Sequence, residues 1–336
     1  MRYLSFDDVA LVPSYSDLTS RTEPSLTAQF TKRTKISMPF IPSPMSSVIS
    51  FEMGKKLIKR GMYPVYHRFY EDKKDLEKWI GELAPHCYIS WGLESLEELS
   101  KLLSGSARPG LFSPKGVCLD VSHGHSKAME KAIAYIKSYH SELEVIAGTV
   151  CTPNAVMDLA NWGADAVRVG IGSGAACTTR LITGFGTPQF TTLLECSRVA
   201  RKYQIPIIAD GGIRNSRDIS LALAAGASTV MMGKIFAAAD ESAAESYGEH
   251  HKIYKGQASA EFQKNGRAAE GEQGLIKRSG SVDVLMDELS LNLKTALSYV
   301  GAKTIEQFRE TTQWVEVASG YAIESATRFD VSEKYL

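Results

Sequence analysis

From about residue 38 to residue 240 the chain alternates between short apolar runs and amphipathic stretches. The apolar runs are Pro39–Pro42, Tyr63–Tyr66, Cys87–Trp91, Gly116–Val121, Leu143–Ala147, Ala164–Val169, Pro206–Ala209 and Thr229–Met232. Short runs of this kind are candidate strands. Helical stretches are expected between them, near 51–60, 73–83, 94–103, 126–140, 153–161, 190–203 and 216–225. Eight strands that each lead into a helical stretch predict an α/β fold, a single (β/α)8 TIM barrel. A doubly wound sheet uses the same alternation and stands as the second architecture, because periodicity does not show closure. The 336 residues suffice for one large barrel or two smaller domains.

The expected strand ends are polar and Gly-rich. They read Ser43-Pro44-Met45-Ser46-Ser47, His67-Arg68, Gly92, Asp120-Val121-Ser122-His123, Ala147-Gly148-Thr149, Asp210-Gly211-Gly212 and Gly233-Lys234. In such barrels the reacting groups sit at the C-terminal strand ends. Residues 240–281 break the pattern, with many Gly, Glu, Lys, Ser and Ala and little apolar periodicity. A long insertion after the eighth strand reads as a functional lid, a mobile flap, or as a disordered linker. Helical periodicity returns at 283–299 and 304–311, enough to close a single barrel domain spanning 1–336.

Cys177 stands out within Gly170-Ile171-Gly172-Ser173-Gly174-Ala175-Ala176-Cys177-Thr178-Thr179-Arg180. Three glycines in five residues let the backbone turn tightly after a strand. A cysteine at the end of that turn is a candidate nucleophile; the plain alternative is a small hydrophobe buried in a loop. Thr179 can relay a proton if a carboxylate supports it, and Glu270 in the insertion is the best candidate. The carbonyls of Gly172, Gly174 and Cys177 can also hold a monovalent cation such as K+. The five cysteines are irregularly spaced with no C-x-x-C pair, which argues against a disulfide framework or zinc and for a reducing cytoplasm. Asp7 and Asp8 stand where a secretory signal needs an apolar run, and no apolar stretch approaches a membrane span. With 38 basic and 38 acidic residues, nothing global draws the chain to nucleic acid or an anionic membrane.

After the seventh and eighth strands, Asp210-Gly211-Gly212 and Met232-Gly233-Lys234 form the corner where barrels often bind phosphate. Lys234 can add a point charge, and Asp210 can accept from two ribose hydroxyls. These glycines can equally serve tight turns alone. Asp120 and Ser122 can hold a cofactor or orient a loop. His123 and His125, two residues apart without clustered cysteines or carboxylates, point to hydrogen bonding rather than metal. No G-x-G-x-x-G opens a helix after a first strand, so a dinucleotide would not bind in the Rossmann manner.

Several ordered motifs together resemble the IMP dehydrogenase/GMP reductase family. They are Phe6-Asp7-Asp8-Val9, Ser43-Pro44-Met45, Gly170-Ile171-Gly172 with Cys177-Thr178-Thr179-Arg180, Thr183-Gly184-Phe185-Gly186, Ala209-Asp210-Gly211-Gly212-Ile213-Arg214 and Val230-Met231-Met232-Gly233. The resemblance runs from about residue 4 to residue 318 and implies the barrel. It also implies that Cys177 attacks C2 of a purine nucleotide. In the reductase branch the amino group of GMP leaves as ammonia, and hydride from NADPH gives IMP. In the dehydrogenase branch IMP reduces NAD, and water releases XMP.

Three features favour the bacterial reductase branch. No regulatory domain interrupts 67–115. The segment 255–267 lacks the Arg-Tyr pair with which dehydrogenases activate water. Ala258–Lys264 and Asp120–Ser126 look like reductase segments. The alternatives are an IMP dehydrogenase without its regulatory domain and a silent nucleotide-binding barrel that regulates.

By resemblance, Cys177 is the nucleophile, and Thr179 with Glu270 forms the relay that protonates the ammonia. Ser43, Met45, Asp210, Gly211, Gly212, Met232, Gly233, Lys234 and Ser259 would contact GMP or IMP. Ser46, Ser47, Asp120 and Ser122 would line the cofactor side, with Lys264 and Arg267 candidates for the 2′-phosphate of NADPH. The family also implies a homotetramer. Ala175 departs from the family pattern, standing where many members have a phosphate-binding serine.

Overall fold

The computed structural model describes residues 2–70, 72–104, 113–257, 271–318 and 320–325. Eight parallel strands form its centre: β1 (Phe40–Pro42), β2 (Val65–Tyr66), β3 (Tyr88–Trp91), β4 (Gly116–Asp120), β5 (Glu144–Val150), β6 (Ala166–Val169), β7 (Ile207–Asp210) and β8 (Thr229–Met232). Their hydrogen-bonded order is β1-β8-β7-β6-β5-β4-β3-β2. That is the cyclic order of an α/β barrel, nearly closed, with its seam between β1 and β2. A doubly wound sheet would reverse its order at a switch point, and this ladder does not.

Helices follow the strands: α1 (Phe51–Lys59), α2 (Lys73–Leu83), α3 (Leu96–Ser104), α4 (Lys127–Tyr139), α5 (Pro153–Trp162), α6 (Thr179–Thr183), α7 (Gln189–Lys202), α8 (Ser216–Ala224), α9 (Lys234–Ala237), α10 (Val282–Ser298) and α11 (Ile305–Thr311). All fall where the sequence predicts helix except the short α6 and α9, which no periodicity announces. Local chemistry sets their ends. Thr152 caps α5 by accepting from Ala155 N–H, Pro153 occupies its first turn, and Gly163 ends it in the left-handed region. Ser126 and Asn215 cap α4 and α8 in the same way. The expected strand 143–147 is in fact Glu144–Val150. An irregularity between Ala147 and Val150 lets the strand continue until Val150 pairs with Val169.

The two ends of the barrel use carboxylates differently. At the N-terminal end of β5, Glu144 is fully buried. It accepts from Thr34 at 3.0 Å, from Tyr88 at 2.6 Å and from Thr31, with Lys115 and Arg33 each 3.7 Å away. Burial first, and then Glu144 itself, push the Tyr88 phenol well up, so it stays a donor. This closed cluster serves stability.

The described parts of the segment 240–281 include strands. They form an antiparallel sheet of β9 (Glu245–Tyr247), β10 (His251–Lys255) and β11 (Gln273–Lys277). Residues 258–270 lie outside the described residues. Buried Lys252 fastens the sheet to the barrel, donating to the carbonyl of Ala239 at 2.8 Å and to Ser242 Oγ at 2.6 Å. Glu241 ties the foot of the insertion to its return. It accepts from Lys56 at 2.5 Å, from Ser281 Oγ at 3.0 Å and from Val282 N–H at 2.8 Å. Away from the barrel, Val9–Val12 pairs antiparallel with Gln313–Glu316.

Candidate active site

The Cys177 loop leaves β6 and crosses the C-terminal face of the barrel. Its first turn demands glycine: a Cβ on Gly170 would stand 1.9 Å from the Asp210 carbonyl oxygen. Gly211 answers from the next loop, with φ +84° and a would-be Cβ 2.5 Å from Ser173 Oγ. The loops after β6 and β7 therefore touch backbone to backbone, and Ser173 Oγ donates to Asp210 O at 3.0 Å.

Cys177 closes the turn by donating its N–H to Gly174 O at 3.0 Å. Its thiol donates to Thr179 Oγ1 at 3.1 Å, and Thr179 is the first residue of α6. Cys177 is partly exposed, whereas Cys87, Cys118 and Cys196 are buried. Burial pushes the Cys87 thiol up to about 12 and the Cys118 thiol up to about 11. Cys151 is also partly exposed, but Cys177 is the thiol that faces a hydroxyl on this loop.

The insertion meets this loop directly. Gly271 pairs with Cys177 as an antiparallel bridge, Glu272 N–H donates to Ala176 O at 2.9 Å, and Gly256 N–H donates to Glu272 O at 2.8 Å. Ser47, buried after β1, donates to Lys255 O at 3.0 Å and so holds β10 against the barrel. Of the other expected site residues, Ser259, Lys264, Arg267 and Glu270 lie outside the described residues. Ser46 is partly exposed beside Ser47, and exposed Ser122 contributes its carbonyl to Thr149 Oγ1 at 3.2 Å.

The corner after β7 and β8 brings together Gly211, Gly212, Gly233 and Lys234 with Ser43 and Met45 from the first strand end. Ser43 N–H donates to Met232 O at 2.9 Å. Tyr254 of β10 enters this corner, unanticipated in the sequence. Its hydroxyl lies 3.7 Å from Met45 Sδ, and a Cβ on Gly233 would stand 2.4 Å from that oxygen. Burial, and then the nearness of Asp210 and Cys177, push the Tyr254 phenol well up. It is a protonated donor at neutral pH.

A charged cluster lies under the loops. Asp120 ends β4, Asp210 ends β7, and Arg168 of β6 reaches both. Arg168 Nη1 donates to Asp120 Oδ1 at 2.6 Å, and its Nη2 donates to Asp210 Oδ2 at 2.6 Å. Gln257 donates to the other oxygen of Asp120. Burial raises the Asp210 carboxyl above its ordinary value, against the pull of Arg168. Arg168 also escaped the sequence reading, although an arginine inside the apolar run Ala166-Val167-Arg168-Val169 was its signal. His125 bonds to Asp158 at 2.8 Å. A cleft of about 480 Å³ between Ala10–Pro13, α8 and α10 is lined by none of the site residues.

A parallel barrel with a thiol loop and a glycine corner at its C-terminal strand ends defines an α/β-barrel enzyme. Residues 3–79 and 115–328 match the family model for the IMP dehydrogenase / GMP reductase domain. The chain belongs to that family of oxidoreductases. It is 38% identical over 316 residues to the GMP reductase of Lactobacillus johnsonii (strain CNCM I-12250 / La1 / NCC 533), covering 92% of this chain and 93% of that protein. It is 36% identical over 323 residues to the GMP reductase of Helicobacter pylori (strain G27), covering 92% and 95%. An inosine-5'-monophosphate dehydrogenase of Chlorobaculum parvum (strain DSM 263 / NCIMB 8327) is 45% identical over 231 residues, covering 62% of this chain and 46% of that protein.

Proposed function

We propose that this protein is a GMP reductase that converts GMP and NADPH to IMP, ammonia and NADP through a covalent intermediate on Cys177. The observation that carries the reading is end-to-end similarity to GMP reductases, at 92% of this chain and 93% of the relative. The dehydrogenase match covers less than half of its relative. The short step of six residues from Tyr66 of β2 to Lys73 of α2 supports the reductase reading.

The site's geometry supports the chemistry. The Cys177 proton is directed at Thr179 Oγ1, the first stop on its way out. Sulfur adds to C2 of GMP, forming a C–S bond as the C2=N3 π pair moves onto N3, to return when the amine leaves. The 2-amino group takes a proton from the Thr179–Glu270 relay and leaves with its bonding pair as ammonia, giving a thioimidate. NADPH, when bound, supplies the hydride that C2 gains in place of nitrogen. The C–S bond then breaks, its electron pair returns to sulfur, IMP departs, and the thiolate takes a proton from solvent to restore the thiol. A site for this reaction must exclude water from the thioimidate.

The same reading gives each corner a partner. Asp210 faces the ribose hydroxyls, and Gly211, Gly212, Gly233, Lys234 and Tyr254 face the phosphate. Tyr254 supplies a hydroxyl donor in the corner where Ala175 supplies none. Asp120, Gln257 and Arg68 face the nicotinamide nucleotide. Their donors and acceptors fit its hydroxyls and carboxamide: Arg68 Nε is buried without a hydrogen-bond partner among the described residues and lies 3.9 Å from Asp120 Oδ2. The carbonyls of Gly172, Gly174 and Cys177 would take K+. A homotetramer and a cytoplasmic location complete the reading; no described helix is long and apolar enough to cross a membrane.

The 45% identity to a dehydrogenase over 231 residues favours a second reading, an IMP dehydrogenase without its regulatory domain. One experiment separates them: NADPH oxidation with GMP beside NAD reduction with IMP, with products identified. Ammonia and IMP formed in step with NADPH loss are expected, together with loss of turnover but retained GMP binding in Cys177→Ser. NADH formed with XMP would overturn the proposal.

A further inference from the structure

Arg168 is a cation on a strand buried on both faces, and its side chain is 6% exposed. The residues beside it in β6, Val167 and Val169, are fully buried. Placing a guanidinium there is costly unless its donors are used. They are. Besides Asp120 and Asp210, Nη1 lies 3.4 Å from Cys118 Sγ, and Nε donates to Asp210 Oδ2 at 3.1 Å.

Reaching Asp120 requires crossing β5, which lies between β4 and β6. Gly148 is the residue of β5 paired with Asp120. A Cβ on Gly148 would stand 2.7 Å from both Cβ and O of Arg168. The missing side chain is thus the opening through which one strand's arginine reaches a carboxylate two strands away.

One guanidinium therefore serves two carboxylates that cap different strands. Every described contact of Asp210 through its carboxylate falls on Oδ2, so Oδ1 is left to a ligand. Asp120 Oδ2 accepts from Gln257, which arrives with the insertion, and has Arg68 Nε 3.9 Å away, beyond hydrogen-bond distance. A counter-ion shared in this way cannot satisfy both partners fully, and whatever removes the demand of one strengthens its hold on the other.

We propose that Arg168 is a positioning residue that couples the two halves of the site, so that the state of Asp120 sets how well Asp210 accepts hydrogen bonds from a nucleotide. The inference rests on the reading above that Asp210 faces the nucleotide ribose and Asp120 the cofactor. Neutralising Asp120 releases Arg168 to Asp210, and a fully paired Asp210 is the poorer acceptor.

The test is a mutant cycle on GMP affinity, measured calorimetrically without cofactor. Asp120→Asn is expected to raise the GMP Kd about three- to tenfold in the wild-type background. In Arg168→Met the same substitution is expected to change it less than about twofold. Should Arg168→Met fail to fold, Arg168→Lys replaces it. One ammonium lacks the planar fork, so the effect of Asp120→Asn is expected to fall at least by half.

A wild-type Kd unmoved by Asp120→Asn would overturn the coupling. So would an equal change in both backgrounds, since coupling through Arg168 requires the effect on GMP affinity to depend on residue 168. Absence of any GMP binding by the wild-type chain is a different failure: it would remove the functional reading, and this inference with it.

Discussion

Glu241→Gln tests whether the insertion is held to the barrel by a charge. Glu241 lies at the insertion's first foot and binds Ser281 Oγ and Val282 N–H at its return. Burial raises its carboxyl, but hydrogen bonds from Lys56, Val282 and Ser281 outweigh that and hold it at about 2, against an ordinary 4.5. A shift of that size corresponds to at most about 3.4 kcal/mol. Lys56 is 36% exposed, so water screens its contact, and about 2 kcal/mol is the better expectation. Because the folded value lies below the unfolded one, this stability is fully present above pH 4.5 and is lost as pH falls through 2. Urea unfolding should therefore show Glu241→Gln less stable at pH 7, with a midpoint lower by about 0.5–1 M. The gap should persist at pH 5.5 and shrink to less than about half by pH 3. A variant as stable as wild type at pH 7, or a gap unchanged at pH 3, would refute the reasoning.

Two further substitutions probe the loops and the phosphate corner. Gly170→Ala forces a methyl to within 1.9 Å of the Asp210 carbonyl and 2.8 Å of Gln189 Nε2. It should cost at least about 2 kcal/mol by thermal unfolding and weaken GMP binding in the protein that remains folded; an unchanged melting temperature would count against the close approach of the two loops. Tyr254→Phe removes one hydroxyl whose nearest described partner is a thioether 3.7 Å away. Its melting temperature should hardly move, while the GMP Kd should rise about tenfold; an unaltered Kd would remove Tyr254 from the phosphate corner.

The barrel was legible in the sequence because its strands are buried on both faces. Val230–Met232 and Ile207–Ala209 are uninterrupted apolar stretches followed by glycine or acid, and that pattern needs no tertiary knowledge. The insertion sheet was not legible. β9 is exposed at every position and β11 at four of five, so neither carries a run of buried apolar residues for a sequence reader to find. The same holds inside the site. Cys177 and the Asp210-Gly211-Gly212 turn announce themselves by local spacing. Arg168 and Tyr254 owe their roles to residues 40 to 210 positions away, and the closeness of Gly233 to Tyr254 appears only once β8 and β10 are folded together.

The strand pair Val9–Val12 with Gln313–Glu316 joins segments roughly three hundred residues apart. A ribosome adding about 5–20 residues per second leaves the first of these waiting about 15–60 s for its partner. Val9 and Phe6 are apolar and become fully or almost fully buried in the finished fold, and this leading segment lacks its strand partner throughout that time. Arg217 offers an intermediate mooring: its Nη2 donates to the carbonyls of Phe6 at 2.9 Å and Val9 at 2.7 Å. The leader can thus dock on α8 midway through synthesis and be sealed only when the last strand emerges. The barrel's assembly is in this sense a question of translation order as well as of thermodynamics.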